Sequence, residues 1–302
     1  MMKNTKLLSY LFNKFLSVDT KEKLERVILV LAIVSFLIHL LLIYFVNIGV
    51  LTVSAEITLF KNPIAAIYTP FSFILIYEVY LLVFYMPKSV TTYVSKQYEI
   101  ITLIVIRRLF KDFSDLELTK DWLEIKGDLQ FTYDILLAIL IFFIIYLFKK
   151  NIQKQSLSDK DKNLTKLNIE YFINLKKLIA VTLVPVIIIL AAYSLFGWLS
   201  GINWNDDLNL GSFVKINNIF FEEFFTVLII VDVLLLLISF FYTDSFHKVI
   251  RNSGFIISTI LLRLSFSAEG LLNNILILSS IVFGLLILLV HNKYETIKPS
   301  EE

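Results

Sequence analysis

The sequence predicts an all-helical protein, a polytopic membrane helix bundle of eight spans. The spans form two parallel four-span repeats, preceded by an N-terminal interfacial helix. Three observations predict this. Hydrophobic residues are 57% of the 302 and charged residues 18%, with a mean hydropathy of +0.77, against roughly 45–50% and 25% in soluble domains. Apolar stretches near the ~20 residues that a bilayer core requires recur along the chain. Finally, a carboxylate inside one apolar run is followed by an arginine inside the next, and this happens twice. Glu78 and Arg108 are 30 residues apart, and Asp232 and Arg263 are 31 apart. Charges at membrane depth are expensive, so matched ones are the most informative residues in the chain.

Composition also excludes whole classes. A net charge of +2, with no basic cluster interleaved with aromatics, gives no nucleic-acid surface. The absence of cysteine removes disulfides, thiol catalysis and cysteine-ligated zinc or iron–sulfur groups. A charged stretch of 26 residues precedes the first span without a small-residue cleavage site, so no cleavable signal is expected.

Residues 1–26 place Leu8, Leu11, Phe12 and Phe15 at helical spacing with Lys3, Lys6 and Lys14 between them, the pattern of a helix lying on an anionic leaflet. The first repeat is expected over residues 27–150. Its first span, 27–46, contains His39; its second, 64–86, contains Glu78 and ends at Pro87. Residues 90–110 are only modestly apolar and end in Arg107 and Arg108. After a polar stretch at 111–130, the span at 131–148 is entered through Asp134. Residues 149–168 hold six lysines and no sustained apolar period, which places a cytoplasmic linker at 151–174. The second repeat, 175–292, follows the same order. A span with Pro185 inside leads to an acidic loop at 200–218 and to the Asp232 span at 220–242. The Arg263 segment at 244–266 comes next, and the last span, 271–290, is entered through Asn273 and Asn274. Residues 293–302 form a C-terminal tail.

Polar landmarks carry the duplication, because apolar sequences align with one another easily. Glu78 falls over Asp232, Arg108 over Arg263, and Asp134 over Asn274 once residues 116–130 are treated as an insertion. Lysine and arginine then set the topology. With four spans per half, 20 of the 28 basic residues lie on the cytoplasmic side and 5 outside, leaving Arg107, Arg108 and Arg263 in or near the membrane. Three spans per half would put the lysine-rich linker outside. Both termini are therefore expected in the cytoplasm, with the halves related as parallel repeats.

Each half resembles the phosphate-starvation-inducible protein E (PsiE) family of four-span bacterial inner-membrane proteins. FILIYEVYLLVFY, EIITLIVIRRLF and YDILLAILIFFIIYLFKK carry the resemblance in the first half. In the second half VLIIVDVLLLLISFF, FIISTILLRLSF and NNILILSSIVFGLLILL carry it. The family's acid in span two, arginine late in span three and polar residue opening span four fall on Glu78, Arg108 and Asp134, and on Asp232, Arg263 and Asn274. His247 falls near a family histidine between spans two and three. The chain departs from the family in its tandem fusion, in the insertion at 116–130 and in Asn274 standing where the family has an acid. The resemblance implies the four-span topology and a bacterial inner membrane location.

An acid on one helix and an arginine on the next tend to pair in hydrocarbon. Glu78 is thus expected to reach Arg107 or Arg108, and Asp232 to reach Arg263. One reading of such pairs is a structural tie. The other is a pathway for ions or protons, a channel or transporter in which Asp134, Asn274, His39 and His247 are further polar stations. The alternative to conduction is a non-conducting membrane regulator or scaffold, including a stress-related one. One or two arginines per helix are too few for a voltage sensor. No enzyme is expected: there is no nucleophile elbow or phosphate-binding glycine loop, and His39, His247 and His291 are far apart with no HxxxH or ExxH pair. The expected set is therefore no cofactor and no metal. The expected partners are the lipid bilayer and further copies of the chain as a homo-oligomer, with an ion or small solute of unspecified identity.

Overall fold

The computed structural model describes residues 2–50, 63–114, 126–158, 166–201, 211–242, 246–268 and 270–296. Among them the regular elements are helices and no strand occurs. In chain order the α-helices are α1 (Met2–Phe15), α2 (Val18–Asn47), α3 (Tyr68–Tyr85), α4 (Val90–Ser114) and α5 (Lys126–Ser158). They continue with α6 (Lys166–Gly201), α7 (Gly211–Phe240), α8 (Phe246–Leu264) and α9 (Gly270–Thr296). Six segments among the described residues are long and apolar enough to cross a membrane: Lys6–Asn47, Leu129–Ile152, Tyr171–Leu190, Glu223–Phe240, Phe246–Ser267 and Gly270–Thr296.

The difference from the expected eight lies in α3 and α4. The apolar part of α3 is only Thr69–Tyr85, because a short 3-10 turn at Pro63–Ile67 precedes it and Pro87 follows. Helix α4 is long, at 25 residues, but carries Lys96, Gln97, Glu99, Arg107 and Arg108.

Several helices also outrun the limits that polarity suggests. Helix α5 continues through Lys149 and Lys150 to Ser158, and α6 begins at Lys166. The lysine-rich stretch is therefore largely helical, since Lys and Gln are good helix formers once nucleated by an apolar segment. The remainder of that linker, 159–165, lies outside the described residues, as do Asp206 and Asp207 of the acidic loop and most of the insertion at 116–130. Residues 211–218 of that loop belong to α7.

The described residues group into two compact units, each drawing on separated pieces of chain. The first comprises Met1–Phe84, Ile104–Phe131 and Ala180–Thr226. Here α1 and α2 are separate helices because Ser17 caps the start of α2, its hydroxyl accepting from the Thr20 amide at 3.1 Å. Asp19 in that first turn favours the positive end of the helix dipole. The spanning helix thus starts at Val18, inside the stretch read as interfacial. Ile28, Ala32, His39 and Ile43 form the buried stripe of α2, while Val30 and Ile33 are among the many apolar side chains left exposed. That distribution suits a helix with lipid around most of its circumference. Helix α3 fixes the α1–α2 junction: the Tyr80 hydroxyl donates to the Phe15 carbonyl at 3.0 Å and Tyr77 to Glu25 at 2.7 Å.

The second unit comprises Tyr85–Leu103, Thr132–Ile179 and Val227–Glu302. Its framework is the antiparallel pair α8 and α9. Midway, the Ser258 hydroxyl donates to the Ser280 carbonyl at 2.7 Å and the Ser280 hydroxyl to the Ser258 carbonyl at 2.6 Å, so neither small polar group is left unsatisfied. At the turn, Asn273 donates to the Ser265 carbonyl at 2.6 Å and the Ala268 carbonyl at 3.2 Å. Gly270 there adopts φ +60°, where a Cβ would be strained. Small residues let the helices approach closely, as in membrane helix pairs generally. Gly254 faces Ile287, and Gly284 faces Tyr98 and Ser258. Phe148 packs between Tyr98 and Phe255, with ring centroids 5.2 and 5.7 Å away.

A Cβ at Gly284 would lie 1.8 Å from the Tyr98 hydroxyl oxygen. Gly284→Ala is therefore expected to lower stability by about 1–3 kcal/mol, the usual cost of overpacking. Denaturant titration of the purified protein in detergent should also show a smaller penalty for the same change in a Tyr98→Phe background. Equal penalties in both backgrounds would contradict the packing described.

Candidate functional site: a buried charge cluster

Asp232 sits in the second half of α7, fully buried. Arg263, in the last turn of α8, donates from Nη2 to Asp232 Oδ2 at 2.7 Å, with its side chain 3% exposed. Two side chains of α4 complete the surroundings. The Tyr93 hydroxyl donates to Asp232 Oδ1 at 3.1 Å, and Gln97 Nε2 donates more weakly to Oδ2 at 3.5 Å. Gln97 also accepts from Arg263 at 3.4 Å. Tyr93 and Gln97 are one helical turn apart, which is why both reach the same carboxylate. Removing an ionised carboxylate from water costs several kcal/mol, recovered only where opposite charge and hydrogen bonds replace the lost hydration. Here both oxygens are engaged. One guanidinium nitrogen, Nη1 of Arg263, is buried and has no hydrogen-bond partner among the described residues.

Lys176 of α6 approaches the same acid. It is 5% exposed, donates to the Lys88 carbonyl at 3.0 Å, and lies over the Phe172 ring at 4.9 Å. Between Lys176 and Asp232 is a small cavity with about 20 Å³ of room for water, lined mostly by apolar side chains (Met86, Val90, Phe172, Leu235, Leu236 and Ile256) and also by Tyr93, Ser239 and Asn252. A single water needs ~10–15 Å³ on that measure and two to four polar partners.

A second buried polar contact joins the residues that open the last expected span of each half. Asn274 Nδ2 of α9 donates to Asp134 Oδ1 of α5, and both residues are at most 5% exposed. The remaining sequence candidates are placed differently. Glu78 on α3 is 4% exposed and belongs to the first unit. Arg107 of α4 is near enough to act on it electrostatically. Arg108 lies beside Arg107, half-buried. His39 of α2 is hydrogen-bonded to Thr69 of α3 through its Nδ1.

His247 shows the largest departure from the sequence reading. Though His247 and His291 are 44 residues apart, the antiparallel α8–α9 pair brings them together with Glu295, their ligand atoms all within 4.8 Å. The expectation that the histidines do not cluster is corrected here: His291 and Glu295 are four residues apart on one face of α9, a spacing that the HxxxH and ExxH patterns do not cover. Tyr93, Gln97 and Lys176 were likewise missed. The available signal was a one-turn polar pair, Tyr93 with Gln97, inside an otherwise modestly apolar helix.

Replacing Asn274 by Leu removes the donor to a fully buried carboxylate oxygen. The variant is expected to lose about 1–3 kcal/mol in chemical denaturation, with Asn274→Gln intermediate. A parent-like denaturation midpoint for Asn274→Leu would contradict the contact.

Compared with protein-family models, with curated proteins and with solved structures, the chain finds no match. The charge cluster therefore has to be interpreted from its own geometry.

Proposed function

We propose that the chain is an integral membrane protein that forms, or contributes to, a pathway for ions or protons passing Asp232. The single observation that carries this reading is the cavity beside Asp232, large enough for water and bordered by Lys176, Tyr93, Ser239 and Asn252. That space places a titratable group at membrane depth beside room for water, which a conducting site needs. The unpartnered Arg263 nitrogen points the same way.

The architecture proposed with it is eight spans in two parallel PsiE-like repeats, in a bacterial inner membrane with both termini cytoplasmic. Helix α4 is less apolar than the six spanning segments and carries the charges of Lys96, Glu99, Arg107 and Arg108. Yet Tyr93, Ser95, Gln97 and Thr102 are buried rather than exposed. A polar helix can cross a bilayer when its polar face is covered by protein. The hydrogen bond between Asp134 and Asn274, corresponding positions of the two halves, also supports the repeats, because a local twofold axis brings corresponding residues near it face to face.

A second reading, a non-conducting regulator or scaffold, is favoured by the full engagement of both Asp232 oxygens. Reconstitution separates the two. Proteoliposomes carrying the parent should pass protons or monovalent cations faster than empty liposomes, and Asp232→Asn, once shown to insert and stay folded, should reduce the flux at least about tenfold, as expected if a charged station is lost. Parent flux no greater than that of empty liposomes would leave the scaffold reading in place.

A further inference from the structure

At the end of the second unit where α8 starts and α9 ends, two imidazoles and a carboxylate converge away from the Asp232 cluster. His247 is in the first turn of α8, and His291 and Glu295 lie one turn apart near the end of α9. His247 Nε2 is 2.9 Å from Glu295 Oε1, and His291 Nε2 is 3.9 Å from the same oxygen. The rings are nearly parallel, 25° apart with centroids at 5.3 Å. We propose that His247, His291 and Glu295 form a binding site for one divalent transition-metal ion of the zinc class, with its remaining position open to water.

The donor set fits that class: imidazole nitrogen and carboxylate oxygen suit Zn²⁺, whereas Mg²⁺ and Ca²⁺ favour oxygen alone. Bonds of ~2.0–2.1 Å to a tetrahedral ion put ligand atoms about 3.3 Å apart. Two of the three separations, 2.9 and 3.9 Å, bracket this and the third lies within 4.8 Å, so closing the site on an ion requires the two imidazoles to rotate towards each other. The ion would take the place of the hydrogen now shared between His247 and Glu295. Access is graded in a useful way, since the His247 side chain is 27% exposed, Glu295 10% and His291 1%.

Arg251 supplies the distinguishing feature. Its Nη1 donates to His291 Nε2 at 3.0 Å, so the one lone pair of that nitrogen is directed at Arg251 and is open to an ion only when this contact breaks. The guanidinium has a separate anchor, since Nε and Nη2 donate to Asn252 Oδ1 at 3.3 and 3.2 Å. Asn252 therefore holds the guanidinium against His291, and an ion binds only when that contact breaks. Until it does, the Arg251 charge occupies the place of the ion and weakens binding. The ion, once bound, ties the start of α8 to the end of α9.

The test is titration of the full-length protein in detergent with Co²⁺, followed by its visible absorption, and competition by Zn²⁺. The expected result is one Co²⁺ per chain with a nitrogen–oxygen spectrum, displaced by Zn²⁺. His247→Ala and Glu295→Gln, both at partly exposed positions and checked for helicity and monodispersity, should each bind at least about tenfold more weakly. Arg251→Ala should bind several-fold more tightly than the parent. Absence of stoichiometric Co²⁺ binding in both the parent and Arg251→Ala would overturn the proposal. Unchanged affinity in His247→Ala and Glu295→Gln would do the same.

Discussion

The second unit depends on one constraint, that the carboxylate of Asp232 is fully buried and its charge must be balanced from within the protein. Arg263 supplies the charge and Tyr93 and Gln97 supply hydrogen bonds, so α4, α7 and α8 are held in one register around a single carboxylate. Breaking such a set by removing one member leaves an uncompensated charge, which costs far more than the pair contributes when intact. The arrangement therefore gives specificity: apolar helices slide past one another at little cost in lipid, and a buried ion pair fixes which residues meet.

The hairpin of α8 and α9 transmits that register along its length. Arg263 lies near the turn closed by Asn273, the serine pair Ser258 and Ser280 lies midway, and the histidines lie at the open end. Small residues at Gly254 and Gly284 allow the close approach that makes these contacts possible. A change in the charge state or ligation at either end acts on the same two helices.

Much of this was legible in the sequence, and for physical reasons. Helical class and membrane character follow from composition, and Asp232 and Arg263 stand out because charges inside apolar runs are rare. Helix ends were less legible, because polarity marks where a helix leaves an apolar environment rather than where it stops. Residues 149–158 and 211–218 are polar or mixed and still helical. The partners of Asp232 on α4 are more than 130 residues away in sequence, so no local pattern announces them. The histidine cluster was hidden for a similar reason, as one of its side chains comes from α8 and two from α9. The spacing of His291 and Glu295 was visible and had not been counted as a ligand pair.

The central claim, that Asp232 and Arg263 are energetically coupled inside the bundle, is tested most directly by a double-mutant cycle with Asp232→Leu, Arg263→Met and the combined variant. Stability would be read by chemical denaturation in one detergent. The account predicts that each single change costs about 3–5 kcal/mol and that the double variant is more stable than either, since it leaves no unpaired charge. Additive penalties, with the double variant the least stable of the three, would contradict it.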